Sequence, residues 1–190
     1  METPADPGIE APGRATFPRL FEPLAIGDVV LPNRIVSSGH DTVMAHDGLV
    51  TDRLVAYHEA RARGGAGLIV VQVGAVHPTA RYTSHALIAD DDACVPGYRR
   101  LAEAVHAHGT AIFGQLFHGG REIMDTDDGT LAVAVSASAV PTERFGVMPR
   151  AMPVTLIREV LDGFGAAAAR LDAAGLDGCE VVASHGYLPS

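Results

Sequence analysis

The stretch Ala111-Ile112-Phe113-Gly114-Gln115-Leu116-Phe117-His118-Gly119-Gly120-Arg121 turns from an apolar, β-rich run into a polar, glycine-containing segment at its carboxyl end. Comparable apolar runs occupy Ile35 to Ser37, Leu68 to Val73 and Gly178 to Val182. Polar and reactive side chains cluster just after each run, at Gly39 to Thr42, Gly74 to His77, Gln115 to Arg121 and His185 to Tyr187. Apolar runs separated by helices with one apolar stripe describe a parallel sheet covered by helices. Reactive residues gathered at the carboxyl ends of the strands are the distribution of a β/α barrel, whose βα loops build the site at one face. A doubly wound dinucleotide fold would place G-x-G-x-x-G straight after its first strand. The residues after Val36 are Ser37-Ser38-Gly39-His40-Asp41, which lack that fingerprint.

Three helices fall between these runs. The first opens at Thr51 or Asp52, both good N-caps, and closes at Gly64-Gly65, where a left-handed C-cap costs little. In the second, Tyr98, Leu101 and Val105 stand at i, i+3 and i+7, and His108-Gly109 ends it. The third runs from a Thr155 cap through Ile157, Val160, Leu161, Phe164, Ala168 and Leu171 to Gly175. Ahead of the first sheet strand, Leu20, Phe21, Leu24 and Ile26 lead through Gly27-Asp28 into Val29-Val30-Leu31, a short hairpin that Pro32 closes. Residues 1–16, with Pro4, Pro7, Gly8, Pro12 and Gly13, read as a disordered tail, leaving 17–190 as the folded part. Glu122 to Met152 lacks periodicity and reads as a long loop, with Asp125, Asp127, Asp128 and Gly129 at a mobile tip.

Bulk properties narrow the function. A hydrophobic content of 47% and a charged content of 19% over 190 residues describe an ordinary globular chain. The net charge of -9 is spread along the sequence, which excludes phosphate-backbone binding and a basic membrane-facing patch. No run approaches the ~20 apolar residues of a membrane helix, and Met1 to Thr16 lacks a secretory core, so a cytoplasmic location is expected. Cys94 and Cys179 form no CxxC pair and read as two buried thiols. No H-x-x-H occurs and Asp90-Asp91-Asp92 reads as a solvated loop, so no metal site is expected. Histidines 46, 58, 77, 85, 106 and 108 read as surface residues. The chain has no lysine, which excludes a Schiff-base aldolase on the same scaffold.

Four motifs in order carry a family resemblance. Phe21-x-Pro23-Leu24-x-Ile26-Gly27 with Leu31-x-Asn33-Arg34-Ile35-Val36 resembles the opening of the NADH:flavin oxidoreductase family, which includes old yellow enzyme, dienoyl-CoA reductase and trimethylamine dehydrogenase. Gln115 to Arg121 resembles its Q-L-x-H-x-G-R. Phe164-x-x-Ala167-Ala168 through Val181 is similar to its third helix and fourth strand, and His185-Gly186-Tyr187-Leu188 to its H-G-Y-L. The family barrel has eight strands. The resemblance therefore implies a TIM (β/α)8 fold of which this sequence supplies strands 1 to 4, a half barrel with an N-terminal hairpin.

The resemblance also implies roles. FMN would be the cofactor and NAD(P)H the electron donor. An iron-sulfur cluster and FAD would belong only to a further C-terminal part. Gln115, whose amide donates and accepts at once, matches the residue that satisfies the flavin pyrimidine edge. Ser38, Gly39 and His40 match the loop along the flavin, and Gly74 the small residue after strand two. His40 and Thr42 resemble the trimethylamine dehydrogenase branch, with Asp41 standing where that branch has its flavin-linked cysteine, so a covalent flavin is not expected. His185 would hydrogen-bond a substrate oxygen and Tyr187 would donate a proton. Val182 stands where the family usually has a second donor. His118 and Arg121 would support the site from behind, Arg121 pairing with Glu122, Asp125 or a cofactor group. The implied reaction is reduction of the activated C=C bond of an enone or enoyl thioester, or oxidation of a methylated amine. The small-molecule substrate is the expected partner, with a homo-oligomer as a further expectation. The alternative is a truncated, inactive half barrel with exposed strand edges.

Overall fold

The computed structural model describes residues 13–83, 85–123 and 133–190. The tail expected over residues 1–16 lies outside them up to residue 12, as do Asp125, Asp127, Asp128 and Gly129. Strands β1 (Leu24–Ile26) and β2 (Val29–Leu31) form the antiparallel hairpin, with Gly27 at φ +57° in its two-residue turn. Then follow β3 (Val36–Ser37), α1 (Asp52–Arg63), β4 (Leu68–Ala75), β5 (Leu87–Ile88), α2 (Val95–His106) and β6 (Ala111–Phe117). The two-residue strands β7 (Val135–Ser136) and β8 (Arg150–Ala151) pair in parallel, ahead of α3 (Val154–Ala173) and β9 (Gly178–Val181).

The main sheet runs β3-β4-β6-β9, all neighbours parallel, with the short β5 also pairing with β4. Each new strand joins on the same side as the last. A doubly wound sheet would reverse that order at a switch point, so the sequence of additions is that of a half barrel.

Local chemistry explains the helix ends. Thr51 accepts the Leu54 N–H at 3.2 Å and caps α1, and Gly65 takes φ +91° just beyond it. Gly109 and Gly175 take φ +70° and +87° after α2 and α3. The start of α3 corrects the expected Thr155 cap. Pro153, extended at ψ 155°, holds the N-cap position, and Thr155 lies within the first turn.

The sheet is covered on both faces. Helices bury Ile69, Val71, Ile112 and Leu116 against Leu54, Tyr98, Leu101, Val105 and Leu171. On the other face the hairpin seats Leu31 against Leu68 and Val70 at the amino ends of the strands. Nearer the carboxyl ends, Val73, Ala75, Tyr82, Phe117 and Val182 form a separate cluster with Tyr187 packed on it. A bulge in β4 links these zones, because Val70 pairs with Phe113 while Val73 pairs with Gln115. One extra residue reverses the pleat. Without it Val73 would turn towards the helices.

Three sequence expectations are corrected. Cys94 is buried, but Cys179 is exposed, since its strand β9 ends the sheet order and no helix lies over its outward side among the described residues. The Asp90 side chain is only 5% exposed, with Arg81 bound to both its oxygens at 3.1 Å, and Asp92 pairs with Arg170, so the acidic run is tied to the Arg81 loop and to α3. His58 is buried inside α1, with neither ring nitrogen hydrogen-bonded among the described residues. Of the apolar stripe on α3, Val160 and Leu171 are buried, whereas Ile157 and Leu161 stay exposed.

Candidate active site

A cleft of about 670 Å³ opens at the carboxyl ends of the strands. It is lined by residues from the loops after β3 and β4 and from the ends of β6 and β9, among them His40, Asp41, Tyr82, Gln115, His185 and Tyr187. Most of the sequence-predicted site residues therefore meet. Gly39 lines the cleft as well, whereas Ser38 and Gly74 are not among its lining residues. The Ser38 carbonyl accepts from the ring Nδ1 of His40 at 3.2 Å. A Cβ on Gly74 would lie 2.7 Å from the Tyr98 hydroxyl. The small residue at that place makes room for the helix layer.

Gln115 lies at the cleft floor, on the half-buried face of β6. Its Nε2 donates to Glu180 Oε1 at 2.6 Å, from the position directly across the ladder on β9. A Cβ built on Gly39 would fall 2.7–2.9 Å from the Gln115 amide atoms, so a larger residue here would push the amide from its place. One amide proton and the carbonyl oxygen then remain for a ligand edge that both donates and accepts.

The Asp41 loop is tied down by Gln72, which is fully buried at the β4 bulge. Gln72 Oε1 accepts from the Thr42 N–H at 3.2 Å and from the Thr42 hydroxyl, while its Nε2 donates to the His85 carbonyl at 2.9 Å. The His40 ring Nε2 hydrogen-bonds the Tyr57 hydroxyl, and Arg61 stacks 3.3 Å from the centre of the Tyr57 ring.

The far wall is aromatic. Tyr82 meets Phe117 at 5.1 Å between ring centroids and Tyr187 at 5.9 Å, and Phe117 meets Tyr187 at 5.4 Å. The Tyr82 hydroxyl donates to Asp41 Oδ2 at 2.9 Å. Burial, then the hydrogen bond to Asp41, pushes the Tyr82 phenol far above its ordinary value, and burial pushes Tyr187 up as well. His185 takes φ +62°, with Ser184 Oγ 2.7 Å from its Nδ1 and its ring 5.8 Å from that of Tyr187. Val182 is buried in the same wall and supplies no polar atom.

His118 binds three loops behind this wall. Its Nδ1 accepts the Gly120 N–H at 3.0 Å, so the proton sits on Nε2 and is donated to Thr79 Oγ1 at 3.0 Å. The Thr79 hydroxyl donates to His77 Nδ1 at 2.8 Å, and the His118 carbonyl accepts the Leu188 N–H at 3.0 Å. Arg121 donates to the Val140 carbonyl at 3.3 Å, and Asp125, one of the partners expected for it, lies outside the described residues.

Burial lowers His58 and His118 to about 4, with Arg61 and His40 adding to the first and His77 to the second. Both are neutral in the fold and take up protons more readily when unfolded. Their contribution is complete above the unfolded value near 6.5 and is lost as pH falls towards 4. The unfolding free energy from urea titrations is expected to fall between pH 7 and pH 5, by up to about 1.4 kcal/mol per pH unit for each imidazole, and the midpoint with it. His118→Asn should flatten that slope, and an unchanged midpoint over this range would contradict it.

Tyr82, Glu180 and Gln72 were missed in the sequence. Glu180 was open to discovery from strand pairing, since it stands beside Gln115 on the adjacent strand. Tyr82 lies in a segment without periodicity, and its partner Asp41 is 41 residues away.

Residues 19–190 match the NADH:flavin oxidoreductase / NADH oxidase family. An NADH oxidase of Thermoanaerobacter brockii is 41% identical over 175 residues, covering 90% of this chain and 27% of that protein. An NADPH dehydrogenase of Bacillus subtilis (strain 168) is 36% identical over 172 residues, covering 90% of this chain and 49% of that protein. The structure of morphinone reductase in complex with tetrahydroNAD superposes with a TM-score of 0.81 at 30% identity, covering 90% of this chain and 50% of that one. The chain thus spans half or less of the length of these relatives.

Proposed function

The chain belongs to the NADH:flavin oxidoreductase / NADH oxidase family, and from that premise we propose that it forms the substrate-facing half of an FMN-dependent oxidoreductase that reduces an activated C=C bond with hydride from NAD(P)H. The observation that carries this reading is the meeting of Gln115, His185 and Tyr187 in one cleft at the carboxyl ends of the strands.

The residues fit a flavin. The Gln115 amide, held by Glu180 and overlain by Gly39, offers a donor and an acceptor to a pyrimidine edge. FMN, when bound, supplies hydride to the substrate β-carbon. His185 donates a hydrogen bond to the substrate carbonyl oxygen and so stabilises the enolate charge. Tyr187, kept protonated by its buried setting, delivers a proton to the α-carbon. Phe117 and Val182 exclude water from that side of the cleft.

A second reading, oxidation of a methylated amine, is favoured by charge. Asp41 and Glu180 line the cleft, and no Arg or Lys does so among the described residues. The location proposed for either activity is the cytoplasm.

Titration of the purified chain with FMN, followed by quenching of flavin fluorescence, tests the reading. Saturable binding in the micromolar range is expected. Absence of binding would remove the flavin site from this chain. Where binding occurs, NADPH consumption with an enone favours the first reading, and flavin bleaching by a methylated amine favours the second.

A further inference from the structure

Strand β4 changes partner along one edge. Val36 and Ser37 of β3 pair with Leu68 and Ile69, and Leu87 and Ile88 of β5 pair with Gly74 and Ala75 on that same edge, since β6 holds the other at both places. Residues 70–73 between them carry the bulge and have no strand beside them on that edge among the described residues.

Gln72 closes this gap with its side chain. Its Oε1 accepts the Thr42 N–H at 3.2 Å and the Thr42 hydroxyl, from the segment that has left β3. Its Nε2 donates to the His85 carbonyl at 2.9 Å, in the segment about to enter β5. A backbone N–H only donates and a carbonyl only accepts, so the amide oxygen must face Thr42 and the nitrogen must face His85.

Both segments carry cleft residues, whereas Gln72 is fully buried and does not line the cleft. Gly39, His40 and Asp41 precede Thr42 directly. On the other side, the Thr83 hydroxyl accepts the His85 N–H at 3.2 Å and the Thr83 carbonyl accepts the Ala86 N–H at 3.4 Å, which ties His85 back towards Tyr82. The two segments meet where the Tyr82 hydroxyl donates to Asp41 Oδ2 at 2.9 Å. Asp41 Oδ1 accepts the Val43 N–H at 3.3 Å, and Val43 adopts φ +55°, a conformation that a β-branched side chain disfavours. Such a loop needs an anchor, and Thr42, between Asp41 and Val43, is the residue that Gln72 holds.

We propose that Gln72 is a positioning residue of the cleft, which holds the Thr42 and His85 segments at one separation and so keeps the Asp41 carboxylate against Tyr82. Without this hold the carboxylate is free to swing into the cleft, where its charge repels an anionic ligand such as FMN. The bearing on FMN rests on the flavin reading of the cleft.

The first arm of the test uses the whole chain without flavin. Its four tyrosines are labelled with carbon-13 at Cζ, and the Tyr82 resonance, assigned by its loss in Tyr82→Phe, reports the hydrogen bond to Asp41. Asp41→Asn marks where that resonance goes when the bond is altered. Gln72→Met keeps the bulk and removes both polar ends. It should move Tyr82 towards the Asp41→Asn position while Tyr98, buried in the helix layer, stays in place. Gln72→Glu is the rescue. Ionised, it sets an oxygen against the His85 carbonyl, and protonated, its O–H replaces the amide donor. Burial raises a carboxyl by up to a few pH units, so the Tyr82 resonance should match the parent at about pH 6 and Gln72→Met at about pH 9. The titratable and charged groups on the segments bound to Gln72 are His40, Asp41, Arg81, Tyr82 and His85, and the parent titrated alongside carries them all. General loosening would move Tyr98 and would not be reversed by protonation. An unmoved Tyr82 in Gln72→Met, or a pH-insensitive resonance in Gln72→Glu, overturns the proposal. Where circular dichroism shows the Gln72 variants unfolded, Thr42→Val, which removes one donor, should move Tyr82 and Thr42→Ser should not. Equal resonances in that pair overturn it.

The second arm titrates FMN. Gln72→Met should bind about tenfold more weakly than the parent, and an affinity within about twofold overturns the proposal. A parent that takes up no FMN removes the flavin reading, and the Tyr82 resonance then decides on Gln72 by itself.

Discussion

Gln115→Ala is expected to weaken FMN binding by about ten- to a hundredfold, which corresponds to about 1.4–2.7 kcal/mol and to the loss of paired hydrogen bonds. The amide is the floor of the cleft, with Gly39 lying on it and Glu180 fixing its rotation at 2.6 Å. Alanine removes donor and acceptor together and leaves a pyrimidine edge facing a methyl group. The strand itself should not suffer, because the backbone pairing of Gln115 with β4 and β9 does not involve its side chain. Circular dichroism should match the parent while the quenching curve shifts. Affinity within about twofold of the parent would remove Gln115 from the flavin site.

The second large effect is a contrast of sign within one helix. Gly163 and Gly165 both lie inside α3, where alanine is ordinarily better by about 1 kcal/mol. A Cβ on Gly163 would fall 2.6 Å from the Val76 carbonyl oxygen, which is backbone and cannot swing aside, whereas a Cβ on Gly165 meets nothing within 4 Å. Overpacking of that kind costs about 1–3 kcal/mol. Gly163→Ala should therefore lower the urea midpoint, and Gly165→Ala should raise it. If both variants were stabilised, α3 would not lie against the end of β4 as described.

These two glycines mark where sequence reading stops. Periodicity and propensity treat them alike, because the Val76 carbonyl that separates them is brought in by the crossover. Capping chemistry is local, and so Thr51, Gly65, Gly109 and Gly175 were legible without any tertiary knowledge. The start of α3 misled because Thr155 is the better capping side chain, while Pro153 already supplies the extended backbone a cap needs. His58 misled in another way. A histidine on an α-helix reads as surface, and only the packing of α1 on the sheet decides that it is enclosed.

The site shows the same division. Gln115, His185 and Tyr187 announce themselves through motifs around strand ends, and the barrel arrangement brings them together. Gly74 matches the small residue after strand two, and the β4 bulge turns it towards Tyr98. Tyr82 carries no local signal. It becomes significant only because a loop 41 residues earlier aims a carboxylate at it.

The strand order has a consequence for biosynthesis. In β3-β4-β6-β9 every strand after β3 finds its main-sheet partner in the βα unit translated just before it. As the chain leaves the ribosome, each new strand meets a ready template and never waits for one still to be made. Such vectorial assembly keeps the sheet growing at a single front, so that a newly made strand pairs before the next one is synthesised.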